Sequence, residues 1–242
     1  KSLTASERID LLLQVLRQTS EALIGTEFHN LNQIATARLV ETLAADHFQN
    51  NAVRITPASR KTLDPRQASK LIAASSIQIK GLRDRVTVNG AGVPYVTWFA
   101  KGSPALEGQP SASRTGMAIP VTALVRFNKN GPELTFYRRL QAESIVLNGK
   151  RETLAADFSA PIAYLLSQGK NSSIDMQALI FSDTNFRHSG LLQIEEYDPK
   201  KIPVVFVHGL LCRPEAWTPA VNQLLADPEI RSRYQFWFYL YP

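Results

Sequence analysis

Apolar residues recur at helical spacing near the start of the chain and pass to alternating or continuous runs further on. In "TASERIDLLLQVLRQTSEALIG", Ile9, Leu12, Leu13, Leu16 and Leu23 fall largely on one face, which predicts an amphipathic helix. Thr4 and Glu7 stand at capping-box spacing at its start, and Gly25 supplies a stop. A second helix is predicted over roughly Leu31 to Phe48, with Ile34, Ala35, Leu39, Leu43 and Ala44 inside and Asn50-Asn51 closing it. A third is predicted from Asp64-Pro65, where Asp caps and Pro takes the first helical position, to about Ser76. Residues 1–80 therefore read as a small helical layer.

The pattern then changes. "RDRVTVNGAGVPYVTWFAKG" mixes β-branched and aromatic residues with turn signals at Asn89-Gly90 and Gly92. Residues 102–116 are rich in Gly, Ser and Pro and read as a long loop. "MAIPVTALVRF" predicts a strand, Asn130-Gly131-Pro132 a turn and "ELTFYRR" the returning strand of a hairpin, with "ESIVLNG" as a further strand. Residues 81–188 thus form a mostly β accessory region, largely antiparallel over 81–150, with a helix near 157–168 that Asp157 caps and Gly169 ends. Residues 171–188 are ambiguous, with a strand expected around Ala178 to Phe181. From 189 onward, strand, helix and strand alternate: "GLLQIEEYDP", then Val204 to Val207, a helix over about Pro214 to Ala226, and Gln235 to Tyr241. The last two strands are almost wholly apolar, as in parallel sheets covered on both faces.

Composition narrows the function classes. With 242 residues and 44% hydrophobic content, the chain can build one large core or two modest ones. The net charge of +6 is spread along the chain instead of gathered in a basic block, and no nucleic-acid motif is present. Cys212 is the single cysteine, so no intrachain disulfide framework exists. No apolar run reaches the ~18 residues of a transmembrane segment. The chain begins with Lys1 and not Met, so the start is expected to be processed, engineered or not that of the whole gene product, removal of an export signal being one such case.

The stretch that bears on chemistry is "KIPVVFVHGLLCRPEAW". A parallel strand delivers its C-terminal end to the ligand-binding edge of an α/β sheet. Gly209 lets the backbone turn sharply there, so the amides of Leu210 and, second, Leu211 can aim at a developing oxyanion. His208, Gly209 and Trp217 would line that site, His208 as a structural or substrate-lining residue and not as the base. The plainer alternative is that His208-Gly209 only ends a buried strand, and that Trp217 and Trp237 are core anchors.

"DPKKIPVVFVHGLLCRPEAW" followed by "YQFWFYLYP" resembles the entry to the catalytic domain of bacterial α/β-hydrolase-fold proteins, in particular a group of large cell-envelope esterases or lipases. "LAADFSAPIAYLL" is similar to the region that precedes that domain. The resemblance implies an α/β chain in which an N-terminal helical layer and an antiparallel β layer lead into an incomplete α/β-hydrolase sheet over residues 189–242. It implies a serine carboxylic-ester hydrolase without cofactor or metal, located in the cell envelope or periplasm, with a cytoplasmic location as the alternative. The family's nucleophile lies in G-x-S-x-G, on a strand after the one at Phe236 to Tyr241, and its acid and histidine follow. No G-x-S-x-G occurs in this sequence. Residues 1–242 are therefore expected to supply the oxyanion loop but no triad, and to be inactive alone. The expected partner is a missing C-terminal hydrolase segment, or an unlike protein covering the open sheet edge. The alternative function is a non-catalytic docking or scaffold subunit of a larger envelope assembly.

Other chemistry-bearing residues read more plainly. Ser111, Ser113, Ser172 and Ser173 lie in polar loops without elbow spacing. His29, His47 and His188 have no metal-binding spacing; His29 and His47 are expected at solvent-facing ends of the second helix, and His188 in a loop. Cys212 reads as a small buried apolar residue, and Arg138 and Arg139 as residues on a strand's solvent side or near its end. The stripe in "EFHNLNQIATARLVETLAADHF" reads as core, with a partner-binding helix as the alternative.

Overall fold

The computed structural model describes residues 3–21, 24–80, 82–107, 109, 116–170, 190–209 and 214–240. The strand expected around Ala178 to Phe181, and residues Ser111, Ser113, Ser172, Ser173 and His188, lie outside them. The chain is of the α/β class, with helices and mixed sheets. Helices are α1 (Ala5–Gln18), α2 (Glu27–Ala44), α3 (Ser159–Lys170), α4 (Thr218–Leu224) and α5 (Pro228–Arg233). Strands β1 (Arg54–Ile55), β2 (Thr62–Leu63), β3 (Lys70–Ala73), β4 (Thr87–Val88), β5 (Val93–Phe99), β6 (Met117–Asn128) and β7 (Gly131–Arg138) precede β8 (Ser144–Leu147), β9 (Lys150–Thr153) and β10 (Ala156–Asp157). Strands β11 (Gly190–Gln193), β12 (Ile202–Val207) and β13 (Tyr234–Leu240) follow α3. Two compact units result: Lys1–Gln67 with Val88–Tyr95 and Val121–Ala156, and Ala68–Thr87 with Val96–Pro120 and Asp157–Pro242.

In the first unit the capping box at the start of α1 is complete. Thr4 Oγ1 accepts from the Glu7 amide at 3.2 Å, and the Glu7 carboxylate accepts from the Thr4 amide at 2.8 Å. The Thr4 amide and then the Thr4 hydroxyl, which also donates to the carboxylate at 2.8 Å, favour the charged form and hold Glu7 below the usual carboxylate range. Thr26 caps α2 by accepting from the His29 amide. The inner stripe of α2 is His29, Ala35, Thr36, Leu39, Val40 and Leu43. Ile34 is 60% exposed, so its predicted inward position is corrected, and so is the solvent-facing position of His29, which is buried. The reason is phase: His29, Thr36 and Leu43 stand two helical turns apart on one face, whereas Ile34 falls with the exposed Phe28 and Leu31. His47, just past the helix, is exposed as expected.

The predicted hairpin is present, with β6 and β7 paired antiparallel from Asn128↔Gly131 to Val121↔Arg138. Strand β1 pairs parallel and β2 antiparallel with β7. Fully buried Phe136 meets Phe48 and Tyr95 edge-on at ring-centroid distances of 5.9 and 6.3 Å. Strands β8 and β9 form a second hairpin on Asn148-Gly149, both at positive φ, the turn chemistry that Asn-Gly favours. Arg139 departs from its expected surface position: it is 1% exposed, and its guanidinium donates to the carbonyls of Ala142 and Ala155. Just beyond the end of β7, these carbonyls can satisfy a buried cation's donors.

In the second unit, β3 pairs with β5, and the Ser69 amide donates to the Trp98 carbonyl at 2.8 Å. The helix predicted from Asp64 to Ser76 is not formed. Two single 3-10 turns, Pro65–Gln67 and Ala74–Ser76, flank β3 instead. Leu71 and Ile72 find backbone partners at a sheet edge, and tertiary pairing overrides a weak helical preference. The carboxylate of Asp64 also turns back onto Arg66, with Nη2 at 2.6 Å. A core of Ala74, Ile77, Val96, Trp98, Ala118, Ala160, Ala163 and Tyr164 lies between this region and α3. As predicted, Asp157 caps α3, accepting from the Ala160 amide at 2.8 Å while pairing with Arg85 at 2.6 Å.

Gly92 carries a specific requirement. Its φ is +84°, and a Cβ built there would lie 2.6 Å from the Ala123 carbonyl oxygen. Gly25 has a similar φ of +88° but open space around it. Gly92→Ala should therefore lower the stability measured by urea denaturation by more than ~2 kcal/mol, and Gly25→Ala by only about 1 kcal/mol. Equal losses would show that the close backbone approach is not the cause.

Candidate functional site at the end of β12

Strands β11, β13 and β12 form a three-stranded sheet in that order. β12 runs parallel to β13, from Ile202↔Tyr234 to Val207↔Tyr239, and β11 runs antiparallel to β13. The predicted strand–helix–strand order is present, with the predicted helix divided into a 3-10 turn, Pro214–Trp217, and α4. Helix α5, not anticipated, follows; Asp227 caps it by accepting from the amides of Glu229 and Ile230.

The two sides of this sheet differ. On one, Phe206 packs against Phe236 and Phe238, both buried, at centroid distances of 6.0 Å, and against Trp217 at 5.4 Å. On the other, Val205 is 43% and Val207 51% exposed, beside the half-buried Trp237 and Tyr239 that pair with them in register. The expectation that both faces of these apolar strands are covered thus fails for β12 within the described residues. β12 is also an edge strand: among the described residues no strand pairs with its second side.

The strand ends at the predicted site. His208 is 7% exposed and its Nδ1 lies 3.1 Å from the Gly209 carbonyl oxygen, while Gly209 itself is exposed. Trp217 is not a buried anchor, being 38% exposed. Its indole N–H donates to the Val207 carbonyl at 3.1 Å, which ties the turn after the loop back to the strand before it. His208, Gly209 and Trp217 are therefore brought to one end of β12. Leu210, Leu211 and Cys212 lie outside the described residues. Among the described residues no group of three or more His, Cys, Asp or Glu side chains is arranged to hold a metal ion, and no helix is long and apolar enough to cross a membrane.

Sequence reasoning missed the polar clamp at the opposite end of the strand. Glu195 and Lys201, each 4% exposed at the side chain, form an ion pair at 3.4 Å. The second carboxylate oxygen of Glu195 accepts from the Phe236 amide at 2.8 Å. Fully buried Gln235 accepts from the Asp198 amide at 3.0 Å and donates to the carbonyls of Asp198 and Lys201 at 3.0 and 3.1 Å. The available signal was a Glu and a Lys next to wholly apolar strands, a place where charges are buried only when paired. No family model, curated protein or solved structure matches the chain.

Burial raises the Glu195 carboxyl above its ordinary value, against the opposing pull of Lys201 and the Phe236 amide and with a small push from Asp198. A raised folded-state pKa means the folded chain binds more protons just above the unfolded value. This group's contribution therefore weakens as pH rises from the ordinary carboxyl value of 4.5 through the raised value. Glu195→Gln should remove that downward slope in urea denaturation across the acid range. It should also cost about 3–5 kcal/mol at neutral pH by leaving Lys201 buried without its partner. An unchanged slope and midpoint would show that the pair is not structural.

Proposed function

We propose that this chain forms the oxyanion-loop side of a serine ester hydrolase of the α/β-hydrolase type, acting on an apolar or lipid-like ester in the cell envelope. The observation that carries the reading is the edge of β12 with which no strand among the described residues pairs, beside a strand end that presents His208-Gly209. In the family that the sequence resembles, the nucleophile strand pairs with that edge. The strand order gives further support, because β12, a helical connection and the parallel β13 form the unit that directs loops toward a ligand at the C-terminal sheet edge. The amides of Leu210 and Leu211 would stabilise the oxyanion, and Trp217 would line the acyl side. A serine in G-x-S-x-G, activated by histidine outside residues 1–242, would attack the ester carbonyl.

A second reading keeps the same edge without the chemistry. The exposure of Ile202, Val205 and Val207 also fits a docking surface held against an unlike protein in a larger envelope assembly. A fluorophosphonate probe separates the two when it is applied to the protein isolated from its source, with any further sequence or partner retained. The hydrolase reading expects a covalent adduct on a serine in G-x-S-x-G, and no adduct on residues 1–242 by themselves. Leu210→Pro, which deletes an amide donor, should lower kcat on a short-chain ester about 10²–10³-fold with little change in KM. No adduct together with a tightly bound unlike protein would establish the docking reading instead, and an unaltered kcat in Leu210→Pro would remove the assigned oxyanion donor.

A further inference from the structure

The second unit contains a cavity of about 400 Å³ built from residues other than those of β12. That volume is within the range of small-ligand sites. Ile72 and Ile77 on one side, with Ala163 and Leu166 of α3 on the other, give it apolar walls. Lys80 is the one charged group lining it among the described residues, and the Gln78 amide stands close by in sequence; both side chains are on the exposed side of the chain. No carboxylate lines the cavity among the described residues, so its fixed charge is positive.

Apolar walls with a single cation, an amide and the hydroxyl-bearing Ser76, Tyr164 and Ser167 match a ligand that is apolar along its length and anionic at one end. A neutral apolar ligand would leave the cation unused, and a cationic one would be repelled. We propose that this cavity binds a single-chain organic carboxylate, its alkyl chain along Ile72, Ile77, Ala163 and Leu166 and its carboxylate toward Lys80 and Gln78. The assignment does not rest on the hydrolase reading, since it involves no turnover and none of the β12 residues.

Isothermal titration with decanoate, held below its micelle-forming concentration, tests the site, and chain-matched decyltrimethylammonium is the control of opposite charge. Decanoate should bind one to one with a millimolar or tighter Kd, and the cationic control should give no saturable heat. Lys80→Met, at an exposed side chain, should weaken decanoate roughly fivefold. Ser76→Phe, which projects a ring into the cavity from an exposed position, should abolish binding while leaving the urea midpoint unchanged. Absence of decanoate binding, equal binding of the cation, or an affinity unmoved by Lys80→Met would each overturn the assignment. Loss of ester hydrolysis, or its absence, would leave these readouts unaffected.

Discussion

Gln235 and Glu195 hold the start of β12 against the start of β13, and the geometry of the strand end follows from that clamp. The Gln235 amide spends its acceptor and both donors on the turn at Asp198 to Lys201, while Glu195 takes the Phe236 amide. Both groups are buried, so displacement would leave unpaired polar atoms where water does not reach. A slip of one residue between β12 and β13 would break these bonds and turn Phe206 away from Phe236, Phe238 and Trp217. The register thus fixes which residue ends the strand. His208 and Gly209 stand where they do because a polar network, whose upstream members end at Lys201, leaves one alignment satisfied.

The clamp also determines which apolar residues face outward. With Phe206 committed to the covered side, Val205 and Val207 must take the other, and alternation leaves them exposed. Parallel strands are ordinarily covered on both faces, and an apolar strand with a free edge is a ready template for pairing. The polar devices that blunt natural sheet edges are scarce here: "IPVVFV" carries one proline near its start and no charge. A sequence selected only to keep this segment monomeric would be expected to place a lysine or glutamate among these residues. Both proposed readings account for that apolar character, since each sets a further strand or an unlike protein against it.

Several elements were legible because their causes are local. The capping box of Thr4 and Glu7, the hairpin turn ending at Gly131 and the cap of α3 by Asp157 each depend on residues within four positions of one another. The apolar runs of β12 and β13 were legible from composition. The features that were missed have distant causes. Whether Leu71 and Ile72 join a helix or a strand depends on β5 being available to pair. The phase of α2 is set by its packing partner, which draws His29 inward and leaves Ile34 out, although Ile34 is the more apolar of the two. Arg139 and Glu195 are buried because carbonyls, or a lysine, meet them there, and no local pattern announces such partners. Of the candidate site, the His208-Gly209 strand end was readable and the link from Trp217 to the Val207 carbonyl was not, because a tryptophan near a strand is more simply read as core.

That link bears on how the strand end could serve a reaction. An oxyanion donor is effective when its direction is fixed before charge develops, so that no reorganisation is needed at that moment. The loop after His208 leaves the sheet at a glycine, the residue that least restricts its own direction. Among the described residues, constraint on this region comes from the contacts on either side of residues 210–213. On one side the buried His208 ring is within hydrogen-bond distance of the Gly209 carbonyl, and on the other Trp217 donates to the Val207 carbonyl while packing at a tilt against Phe206. Of these two contacts, the one from Trp217 returns to β12 itself, at its last residue, Val207. The indole is thus more than a third exposed and yet committed to the carbonyl that ends β12. The proposed acyl-side role would use an indole held in that position.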